Sequence, residues 1–354
     1  MRKAGSKPLV FPRRRIIGTL NETDVRNLRI FRLVCDADGI TTAVGRHGLE
    51  KSAVSRALRA LEERLDGTLC YRGPKGFSLT EYGRTVYSAA SSLEDAMDRT
   101  RSAVNTAHNH FEGEVRLGIA DNCLTNPDAK ISDAIEVFMQ IAPAVRLSVS
   151  IHPPDRLITA IEDRRLHLGI GSSDQMGSGL EGMPIFLERF RLYCCPQPGE
   201  TPPVLERLTS RGYGVIHRVF SHQGPAELSR RIEAAWIAEA SGLEAVATLI
   251  NTGRCVGFLP DHYVRGTRTR RPFVEVPGSS HLSLETVFSV ISERNRMMSQ
   301  AASAMREAIV SVARQAGTAF AAQTLIDERL EEAQLHGVAW HVGEREADAG
   351  RADQ

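Results

Sequence analysis

Apolar residues recur at steps of three and four through the first third of the chain, the spacing of one helix face. In "LRIFRLVCDA" (28–37), Leu28, Phe31, Leu33 and Val34 predict a helix. "ITTAVGRHG" (40–48) predicts a short helix stopped by Gly48, with Leu49 as the buried turn residue. "LEKSAVSRALRALEERL" (49–65) buries Val54, Leu58, Leu61 and Leu65, with Glu50 or Ser52 as its cap. Its other side carries Lys51, Ser52, Ser55, Arg56 and Arg59. A helix, a tight turn and a helix with a polar leading end make a helix-turn-helix. "LCYRGPKGFSLT" (69–80) then gives two extended pieces around Gly73-Pro74-Lys75-Gly76, a hairpin tipped with a cation. Thr80 caps a long helix to about His108, with Tyr82, Val86, Ala89, Leu93, Met97, Thr100, Val104 and Ala107 at steps of four or three. That is close to a coiled-coil seam and calls for a partner helix.

From Gly113 the pattern changes to strands and helices in alternation. "EVRLGIA" is a strand, and Asn126-Pro127 opens a helix carrying Ile131, Ile135, Phe138 and Ile141. Strand "RLSVSI", helix "DRLITAIEDRR" and strand "LHLGIG" follow, so the segment reads as βαβαβ with a parallel sheet. Further strands are "FRLYCC", "YGVIH", "CVGFLP" and "LETVFSVI", separated by helices around 226–239, 242–251 and 299–314. Residues 1–20 read as a basic flexible arm. Residues after 316 read as an appended or frayed extension.

Charge alters this picture because it is uneven. Residues 1–80 hold sixteen cations and eight anions, net +8, while the whole chain is +1, so the remainder carries −7. A basic module on a mildly acidic body points to a polyanionic partner. The six cysteines show no CxxC spacing, which argues against zinc and for reduced thiols in the cytoplasm. No apolar run reaches the roughly 18 residues of a membrane span, and the N-terminus does not read as a secretory signal. GxSxG, HExxH and P-loop motifs do not occur, so an enzyme is not expected.

The stretch "ITTAVGRHGLEKSAVSRALRALEERLDGTLCYR…LT..G" resembles the LysR-type transcriptional regulators, as do "FEGEVRLGIA", "DRLITAIEDRRLHLGIG" and "LINTGRCVGFLP". The likeness spans about 24–316. It implies an α/β protein with an N-terminal all-α winged helix-turn-helix at 21–80. A dimerisation helix would follow at 81–109, with Val86, Leu93, Met97 and Val104 at the seam. An effector-binding domain would occupy 110–316, built as two subdomains like a periplasmic solute-binding protein, with hinges near 187 and 290, and an extension would run over 317–354. The implied partners are double-stranded promoter DNA, further copies of the chain as dimer or tetramer, a small-molecule effector and RNA polymerase. No cofactor, metal or membrane is implied, and the setting would be the bacterial cytoplasm, on the nucleoid. The sequence departs from the family at His47, Cys70, His167 and Pro153-Pro154, the last in a loop that often touches effector.

The residues support specific roles. Small Ala53 and Ala57 would let the recognition helix approach a major groove. Lys51 and Ser52 would meet base edges; Thr41, Thr42, Ser55 and Arg56 would hold phosphates; Arg59 is a further DNA-contact candidate; Arg72 and Lys75 would extend the contact from the wing to backbone or minor groove. In the body, ligands of open α/β sheets bind at strand carboxyl ends. Thr125 and Asn126, beside a helix N-terminus, with Ser172, His217 and Arg218, are the candidates for a small, anionic effector. Pro153-Pro154 makes its loop stiffer and its contacts apolar. A constitutive regulator without effector, or a thiol sensor at Cys123, are the alternatives.

Overall fold

A computed structural model describes residues 18–73, 76–106, 111–121, 123–173, 176–219 and 228–335. These fall into two compact units divided after Met97. The arm up to residue 17, Lys75 and the end of the chain after 335 lie outside the described residues.

The first unit opens with α1 (Glu22–Asp36), which starts earlier than its apolar spacing predicts. Asn21 accepts the Asp24 N–H and Asp24 in turn accepts the Asn21 N–H, a reciprocal cap that fixes the start. α2 (Ile40–His47) ends at Gly48, whose φ of 62° is left-handed. α3 (Lys51–Leu65) buries Val54, Ala57, Leu58, Leu61 and Leu65 against Phe31 and Val34 of α1. Leu49, in the turn, is half-buried. Glu50 holds the cap position of α3 but its side chain caps no backbone N–H; it accepts the Ser52 hydroxyl instead.

β1 (Cys70–Gly73) and β2 (Gly76–Leu79) pair antiparallel as the wing. α4 (Glu81–Thr106) then begins under Thr80, whose hydroxyl oxygen accepts the Gly83 N–H at 2.8 Å. Gly83 explains the end of the "LT..G" pattern. A Cβ there would lie 1.9 Å from the Leu69 carbonyl oxygen, so any side chain would push α4 off the wing. Val86, Tyr87 and Ala90 are buried in this unit's own core, and Leu93 packs against it. The seam expectation therefore needs correction over its first half. Val86 serves the domain that carries it and Leu93 is partly used there, whereas Met97 and Val104 are 46% and 67% exposed.

The second unit carries a sheet of order β4-β3-β5-β11-β6-β9-β7-β8, with the short β10 (Val274–Glu275) paired to β6. β3 (Glu114–Ala120) lies parallel between β4 (Arg146–His152) and β5 (Leu168–Ser172), the expected βαβαβ unit. With α5 (Ile131–Ile141) and α9 (Gln300–Gln315) these strands build a first lobe around Leu117, Phe138, Ile170 and Met305, while α6 (Pro154–Glu162) packs Leu157 and Ile161 in a separate cluster with Leu166 and Ile291. β7 (Gly214–Val219), β8 (Trp236–Ser241), β9 (Cys255–Pro260), α7 (Leu243–Asn251) and α8 (Asp261–Gly266) build a second around Leu192, Val215, Ile250 and Leu259.

Two long antiparallel strands, β6 (Leu180–Cys194) and β11 (Leu284–Glu293), run through both lobes. Phe186 and Phe288 stack at 4.8 Å in the first core, while Phe190 belongs to the second. A register shift falls at Phe288/Ser289. The crossing on β6 is thus close to 187. On β11 it lies at about 285–287, a few residues before the expected 290.

Three further expectations differ. The end of the helix expected at 226–239 is instead the start of β8, an edge strand parallel to β7. Its Ala and Glu favour a helix, but pairing with a buried neighbour overrides propensity. The helix expected at Asn126-Pro127 starts at Ile131 after left-handed Lys130, and its Ile141 is 49% exposed. The tail is not frayed over its first part: α10 (Thr318–Leu335) packs with Ala319 and Ala322 buried, and Arg329 donates to the Glu285 carbonyl.

Candidate DNA-reading surface and effector cleft

The exposed side of α3 follows from its burial pattern. Lys51, Ser52 and Arg56 are exposed at its leading end, and Ser55 is half-buried. Ala57 is not on this surface; it is 8% exposed and belongs to the core, so the close-approach role falls to half-buried Ala53. Thr41 and Thr42 are exposed on the first turn of α2.

The cations divide into two groups. Arg29 pairs with Glu94, Arg32 with Asp36, Arg59 with Glu63 and Arg64 with Asp24. Lys51 and Arg56 meet no acid among the described residues. Arg72, expected to reach DNA freely, is instead held by Glu62 at 2.6 Å, and its Nε donates to the Cys70 sulfur. Glu62 also accepts the Leu69 N–H at 2.9 Å, so this one carboxylate ties the wing to α3. A leading end with uncompensated positive charge and hydroxyls, set on a braced helix, is suited to a polyanion with a readable groove.

In the body, the expected effector residues separate. Thr125 is exposed and its hydroxyl lies 2.9 Å from His262 Nδ1. Asn126 is 6% exposed and committed: its oxygen accepts the Asp128 N–H and its amide donates to the Leu187 carbonyl. Since α5 begins at Ile131, neither Thr125 nor Asn126 sits at its N-terminus, and the anion argument built on that helix end fails. Ser172 is buried in β5 opposite Phe288. His217 and Arg218 are consecutive on β7 and so face opposite sides of the sheet. Arg218 is the one that meets the first lobe, through Asp121. Pro154 stands at the first turn of α6, where its missing N–H is not needed, so the proline pair starts a helix rather than stiffening a loop.

The cleft holds groups that the sequence reading passed over. Asp121, directly after β3 in the first lobe, accepts from Arg218 Nη2 at 3.1 and 3.2 Å and from the Leu243 N–H at 3.1 Å. Glu188, on the crossing strand β6, is 2% exposed and lies 2.8 Å from His262 Nε2. Burial pushes the Glu188 carboxyl above the usual carboxylate range, against the opposing pull of His262 and Arg218. Thr125, His262 and Glu188 thus form a chain from the first lobe through the second to the hinge. The available signals were an acid inside the apolar strand "PIFLERFRLYCC" and an acid at a strand carboxyl end in "ADNCLTN".

The thiols give no support to redox sensing. All six cysteines are free and buried. Burial raises the Cys123 thiol well above its ordinary value, with Glu188 and Asp121 adding to the effect, and Cys194 is pushed up to about 12. A group held as thiol is a poor nucleophile. Among the described residues no cluster of His, Cys, Asp or Glu is placed to hold a metal, and no helix is long and apolar enough to cross a membrane.

A DNA-reading winged helix-turn-helix joined to a two-lobed α/β body defines a ligand-controlled transcription factor. Residues 25–84 match the bacterial regulatory helix-turn-helix protein, lysR family, and residues 108–314 match the LysR substrate binding domain. The chain belongs to the LysR family of transcriptional regulators, whose members bind promoter DNA and small-molecule effectors and act as oligomers. It is 33% identical over 264 residues to the HTH-type transcriptional activator BauR of Pseudomonas aeruginosa, covering 70% of this chain and 82% of that protein. It is 28% identical to the SDS degradation transcriptional activation protein of a Pseudomonas species, over 81% of this chain and 95% of that one. Full-length OxyR from Pseudomonas aeruginosa shares the fold at a TM-score of 0.58 and 16% identity, over 82% and 96% of the two chains. Full-length CbnR complexed with its target DNA does so at 0.52 and 18%, over 82% and 99%.

Proposed function

We propose that this regulator reads an inverted-repeat promoter site through the leading end of α3, with Lys51 and Ser52 on base edges. Thr41, Thr42, Ser55 and Arg56 hold phosphates, joined by Arg59 and Arg72 when the DNA draws them from their intrachain acids, and by Lys75 at the wing tip. The observation that carries this reading is that Lys51 and Arg56 meet no acid among the described residues, whereas Arg59 and Arg72 are paired with Glu63 and Glu62. Copies associate through the outer half of α4, around Met97 and Val104, as dimers and then tetramers that contact RNA polymerase. The work is done in the cytoplasm, where the promoter lies on the nucleoid. The effector enters the cleft between the lobes and presents an anionic group to Arg218, near Thr125. Binding favours one arrangement of the lobes, and only that difference in affinity can be passed to the DNA.

The test is fluorescence anisotropy of the full chain on a specific duplex and on a scrambled one, over a range of salt. Arg56→Ala is expected to weaken both duplexes and to lower the salt slope by about 1. Loss of discrimination in Arg56→Ala, with Lys51→Ala unchanged, would reverse the assigned roles.

A further inference from the structure

The cleft contains an internal ion pair placed where a ligand would be held. Arg218 and the first N–H of α7 both belong to the second lobe, and both point at the carboxylate of Asp121 from the first. Gly242, with φ of 83°, turns the chain so that the Leu243 N–H faces that carboxylate. The fit is incomplete. Both Asp121 oxygens fall on the same Nη2, and the Nε of Arg218 is buried without a partner among the described residues. The Nε–Nη2 edge of a guanidinium is the fork that receives a carboxylate in bidentate fashion, so Asp121 uses half of it. Side-chain exposure is 6% for Arg218 and 24% for Asp121, so Asp121 is the partner with room to move away.

We propose that the cleft takes a small amino-carboxylate, whose carboxylate replaces Asp121 on Arg218 and the Leu243 N–H and whose ammonium is received by the released Asp121. This rests on the reading of the cleft as the effector site. Charge balance selects the class. Among the described residues, the charged groups facing one another here are Arg218, Asp121 and Glu188, with His262 bonded to Glu188. A plain carboxylate that displaced Asp121 would leave two anions side by side, next to a Glu188 that burial already drives toward its neutral form. An alkylamine could reach Asp121 but would strip Arg218 of its counter-charge in a buried setting. A zwitterion leaves every charge paired and completes the guanidinium fork. It also replaces a direct tie between the lobes with one that passes through the ligand, which changes their separation on binding.

The probes are glycine, L-alanine, 4-aminobutyrate and 6-aminohexanoate, each with the acid and the amine of the same length. The full chain is titrated by calorimetry and followed by thermal shift. At least one amino-carboxylate is expected to bind, with its parent acid and amine about 10–100-fold weaker, the worth of one charged hydrogen bond. Asp121→Asn should reverse the order, favouring the acid, and Arg218→Gln should abolish binding. Asp121→Ser serves if Asp121→Asn does not fold, and the wild-type comparison needs no variant. Equal binding of acid and amino-carboxylate, abolished by Arg218→Gln and unmoved by Asp121→Asn, would overturn the zwitterion while leaving the cleft as effector site. Binding that survives Arg218→Gln would overturn the cleft reading itself. Absence of binding by all four amino-carboxylates would overturn the proposal.

Discussion

Glu62→Ala should release the wing from the recognition helix. Glu62 accepts two donors, the Leu69 N–H at 2.9 Å and the Arg72 guanidinium at 2.6 Å. Leu69 is fully buried, so truncation leaves an unpaired backbone donor in the core, at about 1–3 kcal/mol. The ion pair is partly exposed, 32% at Arg72 and 20% at Glu62, which limits it to about 0–1 kcal/mol. Together the local loss is about 1–4 kcal/mol, or roughly 5–700-fold in the opening equilibrium. Hydrogen exchange in the intact protein reads this directly: peptides spanning 66–80 should exchange faster by that factor, with the body unaffected. Glu62→Gln keeps an acceptor for Leu69 and removes only charge, so its wing should lose less than about 1 kcal/mol. The freed Arg72 should then strengthen non-specific DNA binding and steepen its salt slope by about 1. An exchange change below about threefold in Glu62→Ala, or equal damage from both variants, would refute the account of the brace.

Lys51→Ala and Ser52→Ala should each relax discrimination by about 1–3 kcal/mol at the affected base pair, measured by competition between single-base variants of the site. Met97→Glu with Val104→Glu should yield folded monomers by sedimentation, whereas Val86→Glu, at a 7% exposed core position, should unfold the first unit. Burial raises the Glu188 carboxyl, so the folded protein holds that proton more tightly than the unfolded chain. The associated stability is present below the ordinary carboxylate pKa and is lost as pH rises through the raised value. Melting temperatures should therefore shift in favour of Glu188→Gln, relative to wild type, as pH rises above the ordinary carboxylate range of about 4; a difference independent of pH would contradict this.

The winged domain was legible because its signals are local. Helical spacing gave α2 and α3, Gly48 marked the left-handed end of α2, and the wing followed from the glycines around Pro74-Lys75. The βαβαβ unit was legible from its alternation. β8 was not, because an Ala- and Glu-rich edge strand is held by pairing with β7 rather than by propensity. Sequence spacing could show a stripe on α4 but not which of its residues its own domain would bury, and Val86 is claimed there. The cleft was read in part. Arg218 and Thr125 reach it, but Asn126 and Ser172 are spent on structure, and Asp121, Glu188 and His262 are brought in by contacts 74 to 137 residues apart in the chain. No local pattern encodes such a meeting.

The central claim is that the leading end of α3 reads a defined DNA sequence, and selection from a random duplex library with the full chain tests it most directly. The wild type should enrich an inverted repeat bound about 10³-fold or more above scrambled DNA at physiological salt. The Lys51→Ala, Ser52→Ala double variant should lose that motif while keeping salt-sensitive, sequence-independent binding. A library that stays random with wild-type protein, or the same motif enriched by the double variant, would contradict the account.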